Sequence, residues 1–192
     1  MASVYAFKPA FQNLLRPAVK RLAAWGVTPN QVTIASGAAS VLLGWELAAG
    51  AGLWFMLPLF LPVRMALNAV DGMLAREHHM ATKAGAILNE GLDLISDAAL
   101  TLPFATLPSM SIAAVLLAAT AALLAEVAGL SSPGARRYDG PFGKSDRAVA
   151  LGTAGAWLSL GWNLGAWLPW VWIALCAFTA WNRVRVVPVR GS

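Results

Sequence analysis

Apolar runs of helical period, separated by short polar breaks, fill almost the whole chain. Residues 4 to 25 set Val4, Phe7, Phe11, Leu14, Leu15, Val19 and Leu22 on one side and Lys8, Arg16, Lys20 and Arg21 on the other, which predicts an amphipathic helix lying in a membrane interface. Its charges are not followed by an uninterrupted apolar core, so it does not read as a cleaved signal peptide and is expected to be retained. Gly26-Val27-Thr28-Pro29-Asn30 breaks it, with Thr28 suited to cap the next helix and Pro29 to its first turn. Apolar runs then occupy residues 30 to 47, 53 to 76, 84 to 106, 109 to 130, 147 to 164 and 166 to 183, each close to the roughly 20 residues that cross a bilayer's hydrocarbon core. Gly50-Ala51-Gly52, Pro103 to Pro108, the polar 131 to 146 stretch and Gly161 to Gly165 punctuate them. The predicted fold is an all-α integral membrane protein: an interfacial amphipathic helix at 1–25, then a membrane domain of six transmembrane helices at 26–192. Nothing suggests the inverted repeats of a transporter.

Composition agrees with that pattern. Of 192 residues, 58% are hydrophobic and 12% charged, too apolar for a soluble domain of this size. The single Cys176 rules out an internal disulfide and a cysteine zinc site. A net charge of +5 raises nucleic acid as a partner, but the basic residues flank apolar spans and do not interleave with aromatics, so lipid headgroups and phosphates fit better. Thirteen of the fourteen Lys and Arg residues fall at the N-terminus, at 76 and 83, at 136 to 147 and at 183 to 190, with only Arg64 inside a span. The positive-inside rule therefore puts both termini and these loops in the cytoplasm. Trp45, Trp54, Trp162, Trp167 and Trp170 are expected at the opposite interface, and Trp25 and Trp181 at the near one.

Polar groups are concentrated in one stretch. Between Asn68 and Asp97 the chain places Asn68, Asp71, Arg76, Asn89, Glu90, Asp93 and Asp97 at or near membrane depth, where a charge costs about 2.5 to 3.5 kcal/mol on insertion scales. Asn68, Asp71 and Ala75 share one helical face, and Gly85, Asn89, Asp93 and Asp97 recur every fourth residue on another. The turn between them is polar and basic. Hard oxygens beside a basic mouth suit a divalent cation holding phosphates. His78 and His79 are neighbours and do not project to one side of a helix, so a solvated turn is a better reading than zinc.

These residues resemble the signature of the CDP-alcohol phosphotransferases, D-x2-D-G-x2-A-R-x8-G-x3-D-x3-D. Asn68 stands at its first aspartate, Asp71, Gly72, Ala75, Arg76 and Gly85 match, Asn89 stands at the third aspartate and Asp93 at the fourth. Pro29, Asn30 and Thr33 extend the likeness. The resemblance implies a phospholipid-synthesis enzyme that moves a substituted phosphoryl group from CDP-diacylglycerol or another CDP-alcohol to a polar alcohol and releases CMP. It further implies a homodimer in a bacterial-type inner membrane. Asp93 is expected as the general base. Asp71, Asp93, Asn68 and Asn89 are expected to hold Mg²⁺ or Mn²⁺, and Gly72, Ala75, Arg76, Thr82 and Gly85 to receive the nucleotide. In relatives four aspartates face two divalent ions; here two are replaced by Asn, so one tightly held ion and at most a weak second are expected. The same replacements motivate the alternative of a non-catalytic relative that binds nucleotide or lipid.

Two further expectations come from the residues themselves. Arg136, Arg137, Lys144 and Arg147, around two turn glycines, can hold a phosphate on the acceptor alcohol, although positive-inside topology alone would also place cations there. Following the antiparallel spans inward, Asn68 falls level with Asp93 and Arg64 with Asp97, which predicts an Arg64–Asp97 ion pair under the site. Glu126, within an apolar run, is expected to bond a neighbouring helix.

Overall fold

The computed structural model describes residues 8–130, 137 and 139–185, and every regular element among them is helical. Val4, Phe7, Arg136 and Arg190 of the sequence reading lie outside the described residues. Seven α-helices follow in order: α1 Lys8–Ala24, α2 Pro29–Ala48, α3 Met56–Glu77, α4 Lys83–Thr101, α5 Ile112–Leu130, α6 Lys144–Ser159 and α7 Leu168–Val184. Short 3-10 turns, Leu53–Phe55 and Leu102–Thr106, lead into α3 and out of α4.

Local chemistry sets the boundaries that matter for the site. Thr28 accepts the Gln31 N–H at 3.3 Å while the Gln31 side chain accepts the Thr28 N–H at 2.9 Å, a reciprocal cap that fixes the start of α2. Thr82 accepts the Gly85 N–H at 3.0 Å and starts α4. The Asp146 carboxylate accepts the Gly143 N–H at 2.9 Å, which starts α6 at Lys144, three residues earlier than the hydrophobic pattern predicts. Its far end also differs: Gly161, at φ 79°, turns the chain back, and α6 stops at Ser159 instead of reaching 164. At 16 residues it rises about 24 Å. Two stretches, Leu53–Glu77 and Ile112–Leu130, are long and apolar enough to cross a membrane by length and composition.

The bundle is assembled through small residues on one side and large ones on the other. α2 packs most extensively on α4 and α5 on α7. The buried face of α2 carries Thr33, Ser36, Gly37, Ser40 and Gly44, and a Cβ placed on Gly44 would stand 2.2 Å from the Ala99 carbonyl oxygen of α4. Backbones approach this closely only where side chains are nearly absent. The main core gathers Leu47, Leu57, Leu61, Leu100, Phe104 and Trp172. Trp54 belongs with it, its ring 5.0 Å from Phe104, which in turn meets Trp172 edge-on at 5.5 Å. A second cluster docks α1: Val19, Leu15 and Leu22 pack on Val70, Met73 and Leu74 of α3. Arg16 reaches Glu77 at 3.1 Å beside it. The outer surface is apolar, with Leu42, Leu59, Ile87, Leu124, Val149 and Phe178 exposed.

Candidate active site between α3 and α4

Asp71 on α3 is buried, and its Oδ2 accepts two hydrogen bonds at 2.8 Å, from the Thr33 hydroxyl of α2 and from Nδ2 of Asn89 on α4. Three helices thus meet at one carboxylate oxygen. Thr33 comes from the Pro-Asn-x-x-Thr pattern, and its hydroxyl also lies 3.0 Å from the Pro29 carbonyl.

Asp93, one turn along α4 from Asn89, collects the second set of partners. Asn68 Nδ2 donates to Oδ1 at 3.0 Å, and the Lys144 ammonium, from the first turn of α6, contacts Oδ2. Arg64 stands 3.6 Å from Oδ1 and donates to the Asp93 backbone carbonyl at 3.2 Å. Both amide groups that replace carboxylates in the signature therefore turn their nitrogens toward the carboxylates that remain.

The residues expected at the nucleotide line the mouth of the same pair of helices. Arg76 is exposed, and its guanidinium folds over Gly72, where a Cβ would lie 3.0 Å from Nη1. A Cβ on Gly85 would stand 2.8 Å from Asn30 Oδ1 and 2.9 Å from Thr82 Oγ1, so glycine is what lets the starts of α2 and α4 meet. The Thr82 hydroxyl oxygen is engaged as the α4 cap.

Of the four cations expected at an acceptor phosphate, those in the described residues do not gather on one loop. Arg137 grips Asp139 through two hydrogen bonds of 2.9 and 2.6 Å, and that guanidinium holds the Asp139 carboxyl below the usual carboxylate range. Lys144 points to Asp93. Arg147, expected with the loop cations, is instead buried on α6, 2.7 Å from Asp97 and 3.0 Å from Glu126. The cause is the early start of α6, which turns a loop position into a helix face directed at α4 and α5.

Beneath the site these charges form a continuous ladder. Arg64 Nη2 lies 2.8 Å from Asp97 Oδ1, Arg147 bridges Asp97 Oδ2 to Glu126, and Arg183 of α7 stands 3.3 Å from Glu126. Arg183 also donates to the carbonyls of Ala125 at 2.6 Å and Asp139 at 3.2 Å. The sequence pointed to Arg64 with Asp97 and to a bond from Glu126 to a neighbouring helix, but not to Arg147 and Arg183 as its partners. The available signal was sparse: one acid, Glu126, and one base, Arg183, each alone in an apolar run, and Lys144 and Arg147 spaced to share a helix face.

The oxygens of Asp71, Asp93, Asn68 and Asn89 are hard donors of the kind that hold Mg²⁺ or Mn²⁺. They carry two negative charges, and no group of three or more His, Cys, Asp or Glu forms a metal cluster among the described residues. The donor set is of a kind that would suit a divalent ion.

Known proteins share this arrangement of sequence. The family model described as CDP-alcohol phosphatidyltransferase matches residues 26–181. The chain is 45% identical over 196 residues to "Inner membrane protein YnbA" of Escherichia coli, covering 96% of each. It is 28% identical over 204 residues to phosphatidylinositol phosphate synthase of Mycolicibacterium smegmatis, covering 97% of this chain and 90% of that one. The crystal structure of Mycobacterium tuberculosis phosphatidylinositol phosphate synthase with CDP-DAG bound has the same fold, with a TM-score of 0.70 at 23% identity over 88% of this chain and 90% of that chain.

Proposed function

Because the chain belongs to the CDP-alcohol phosphatidyltransferase family, we propose that this membrane protein transfers a phosphatidyl group from CDP-diacylglycerol to the hydroxyl of a polar alcohol. The alcohol oxygen attacks the β-phosphorus, the bond from that phosphorus to CMP breaks, and the hydroxyl proton passes to a carboxylate of the chain. The observation that carries this reading is the meeting of Asp71 and Asp93 across α3 and α4, with Thr33 from α2 and Lys144 from α6 brought to the same place.

Asp93 is the proton acceptor in this reading. It stands beside an ammonium and is less enclosed than Asp71, with its side chain 19% exposed, so a bound hydroxyl can reach it. A divalent ion, Mg²⁺ or Mn²⁺, held by Asp71, Asp93 and the carbonyl oxygens of Asn68 and Asn89, supplies charge neutralisation for the diphosphate when bound. Arg76 forks onto a phosphate at the mouth. Gly72, Ala75 and Gly85 keep the helix surfaces low enough for the cytidine, and Asn30 and Thr82 offer it polar atoms. Arg136, Arg137 and Lys144 are assigned to an anionic acceptor; Arg147 is withdrawn from that role by its buried partners.

In the membrane, α2 to α7 provide the six spans, α1 lies at the cytoplasmic interface, and both termini and the site face the cytoplasm. Cysteine labelling is expected to reach positions near 50, 107 and 165 from outside and those near 80 and 140 from inside. Access to the 137 to 147 region from the outer side sinks this topology. The chemistry is tested by CMP release from CDP-diacylglycerol with a panel of polar alcohols and Mg²⁺ or Mn²⁺. Release that depends on one alcohol supports the transferase. Nucleotide binding without release under any alcohol or metal replaces it with the non-catalytic reading.

A further inference from the structure

Lys144 has no place among the expected metal ligands, yet its ammonium meets the carboxylate assigned to proton transfer. Three observations show that this contact is built and not the chance reach of a loop lysine. Lys144 is the first residue of α6, whose start is fixed by Asp146 on the Gly143 N–H at 2.9 Å. Arg147, three residues on and on the same face, is pinned at 2.7 Å to Asp97 and 3.0 Å to Glu126 and donates to the Phe142 carbonyl at 3.3 Å. The helix turn that carries Lys144 is therefore clamped to α4 one turn below Asp93. Finally, both Asp93 oxygens are taken: Oδ1 by Asn68 at 3.0 Å and by Arg64 at 3.6 Å, and Oδ2 by Lys144.

Charge decides what else the site accepts. Two carboxylates, Asp71 and Asp93, against one ammonium leave one net negative charge. A single divalent ion turns this to one net positive charge, matched to an incoming diphosphate. A second ion would raise it to three, next to the Arg64 guanidinium and in a setting where uncompensated charge is costly. It would also have to displace the ammonium from Asp93.

We propose that the Lys144 ammonium is a resident cation of this site, standing at Asp93 where a second divalent ion would need to bind, so that each chain holds one divalent ion. The diphosphate it faces rests on the phosphatidyl-transfer reading; the metal count does not. Asn68 and Asn89 complete the device, because an amide donates to the remaining carboxylates without adding negative charge.

The test is equilibrium Mn²⁺ binding, by electron paramagnetic resonance or calorimetry, to the full chain in detergent, with CMP release measured in parallel. The wild type is expected to bind one Mn²⁺ per chain. Lys144→Met frees an Asp93 oxygen and is expected to tighten Mn²⁺ binding by about tenfold or more, whereas Lys144→Arg, which keeps a cation on the same turn, leaves it near the wild-type value. Asn68→Asp with Asn89→Asp is expected to admit a second Mn²⁺, and adding Lys144→Met to tighten that second ion. Two ions of comparable affinity in the wild type overturn the proposal, and that arm stands even where a variant fails to fold. Unchanged Mn²⁺ binding in a folded Lys144→Met chain overturns it as well. One Mn²⁺ without CMP release upholds the resident cation and sinks the transferase reading; two ions with CMP release do the reverse.

Discussion

Asp93 and Asp97 lie one helical turn apart on α4 and share the guanidinium of Arg64, at 3.6 and 2.8 Å. Their other partners set them apart. Asp97 is held by a second guanidinium, Arg147 at 2.7 Å, and both arginines are buried and planar, so its position is fixed on two sides. Asp93 is held by an amide and by an ammonium on a flexible stem, groups that can shift to admit a bound hydroxyl while staying beside the carboxylate. The same residue type, four positions apart, thus serves as a lock in one case and as a working group in the other. What separates them is which neighbours can let go, far more than depth.

Removing the working group has the largest expected effect. Asp93→Asn should cut CMP release by about 10²- to 10⁴-fold, the usual contribution of a positioned base, while nucleotide binding stays measurable in the same preparation. Near-normal release by this variant would transfer the base role elsewhere and erase the distinction from Asp97.

Removing the lock comes next. Asp97→Ala strands Arg64 and half of the Arg147 pairing, and one-sided loss of a buried pair typically costs about 3 to 5 kcal/mol, readable as a fall in thermal or denaturant stability in detergent. Replacing the pair together, Arg64→Met with Asp97→Leu, recovers only part of it, since Arg147 then keeps Glu126 as its one carboxylate partner and Asp93 loses the donor to its backbone. Full recovery would mean that Arg147 and the rest of the ladder add nothing to the lock.

A smaller effect belongs to the oxygen that joins three helices. Thr33→Val removes one of the two donors on Asp71 Oδ2 and should cost about 1 to 3 kcal/mol, together with weaker Mn²⁺ binding. An unaltered melting point would show that Asn89 alone holds Asp71.

The smallest effect lies at the surface, where Arg137 grips Asp139 outside the buried ladder. Its guanidinium lowers the Asp139 pKa, so the pairing contributes in full above the unfolded carboxylate value of about 4 and is lost as the pH falls through the lower folded value. Asp139 is half-exposed, and such pairs are worth about 1 kcal/mol or less. Asp139→Asn should therefore lower stability slightly and evenly from pH 5 to 8, with the gap closing in stronger acid. A gap that widens in acid would reverse the sign and assign Asp139 a different partner.

Much of this contrast was legible in the sequence. The four-residue recurrence of Gly85, Asn89, Asp93 and Asp97 placed the carboxylates on one face, and the antiparallel reading of the two flanking spans put Arg64 opposite Asp97. The helix start at Pro29 was readable from Thr28, whose side chain acts within three residues; the cap at Lys83 was not, because Thr82 read as a nucleotide contact. The start of α6 was not, because Lys144, Asp146 and Arg147 read as loop charges until Asp146 is seen to cap Gly143. From that one boundary followed the two contacts the sequence hid, Lys144 with Asp93 and Arg147 with Asp97. Both join residues about 50 positions apart, a separation at which periodicity within one helix carries no information.

The close approach at Gly44 has a bearing on all of this. The Ala99 carbonyl that a methyl group there would strike belongs to the residue two places beyond Asp97. Gly44 touches neither ion nor substrate, yet it sets the clearance between α2 and α4, and with it the height at which Asp93 and Asp97 meet Arg64 and Arg147. A bulkier residue would act as a wedge at the far end of a lever, shifting a carboxylate whose bonds tolerate only a few tenths of an ångström. The tolerance of the chemistry is thus written partly into a residue with no chemistry of its own.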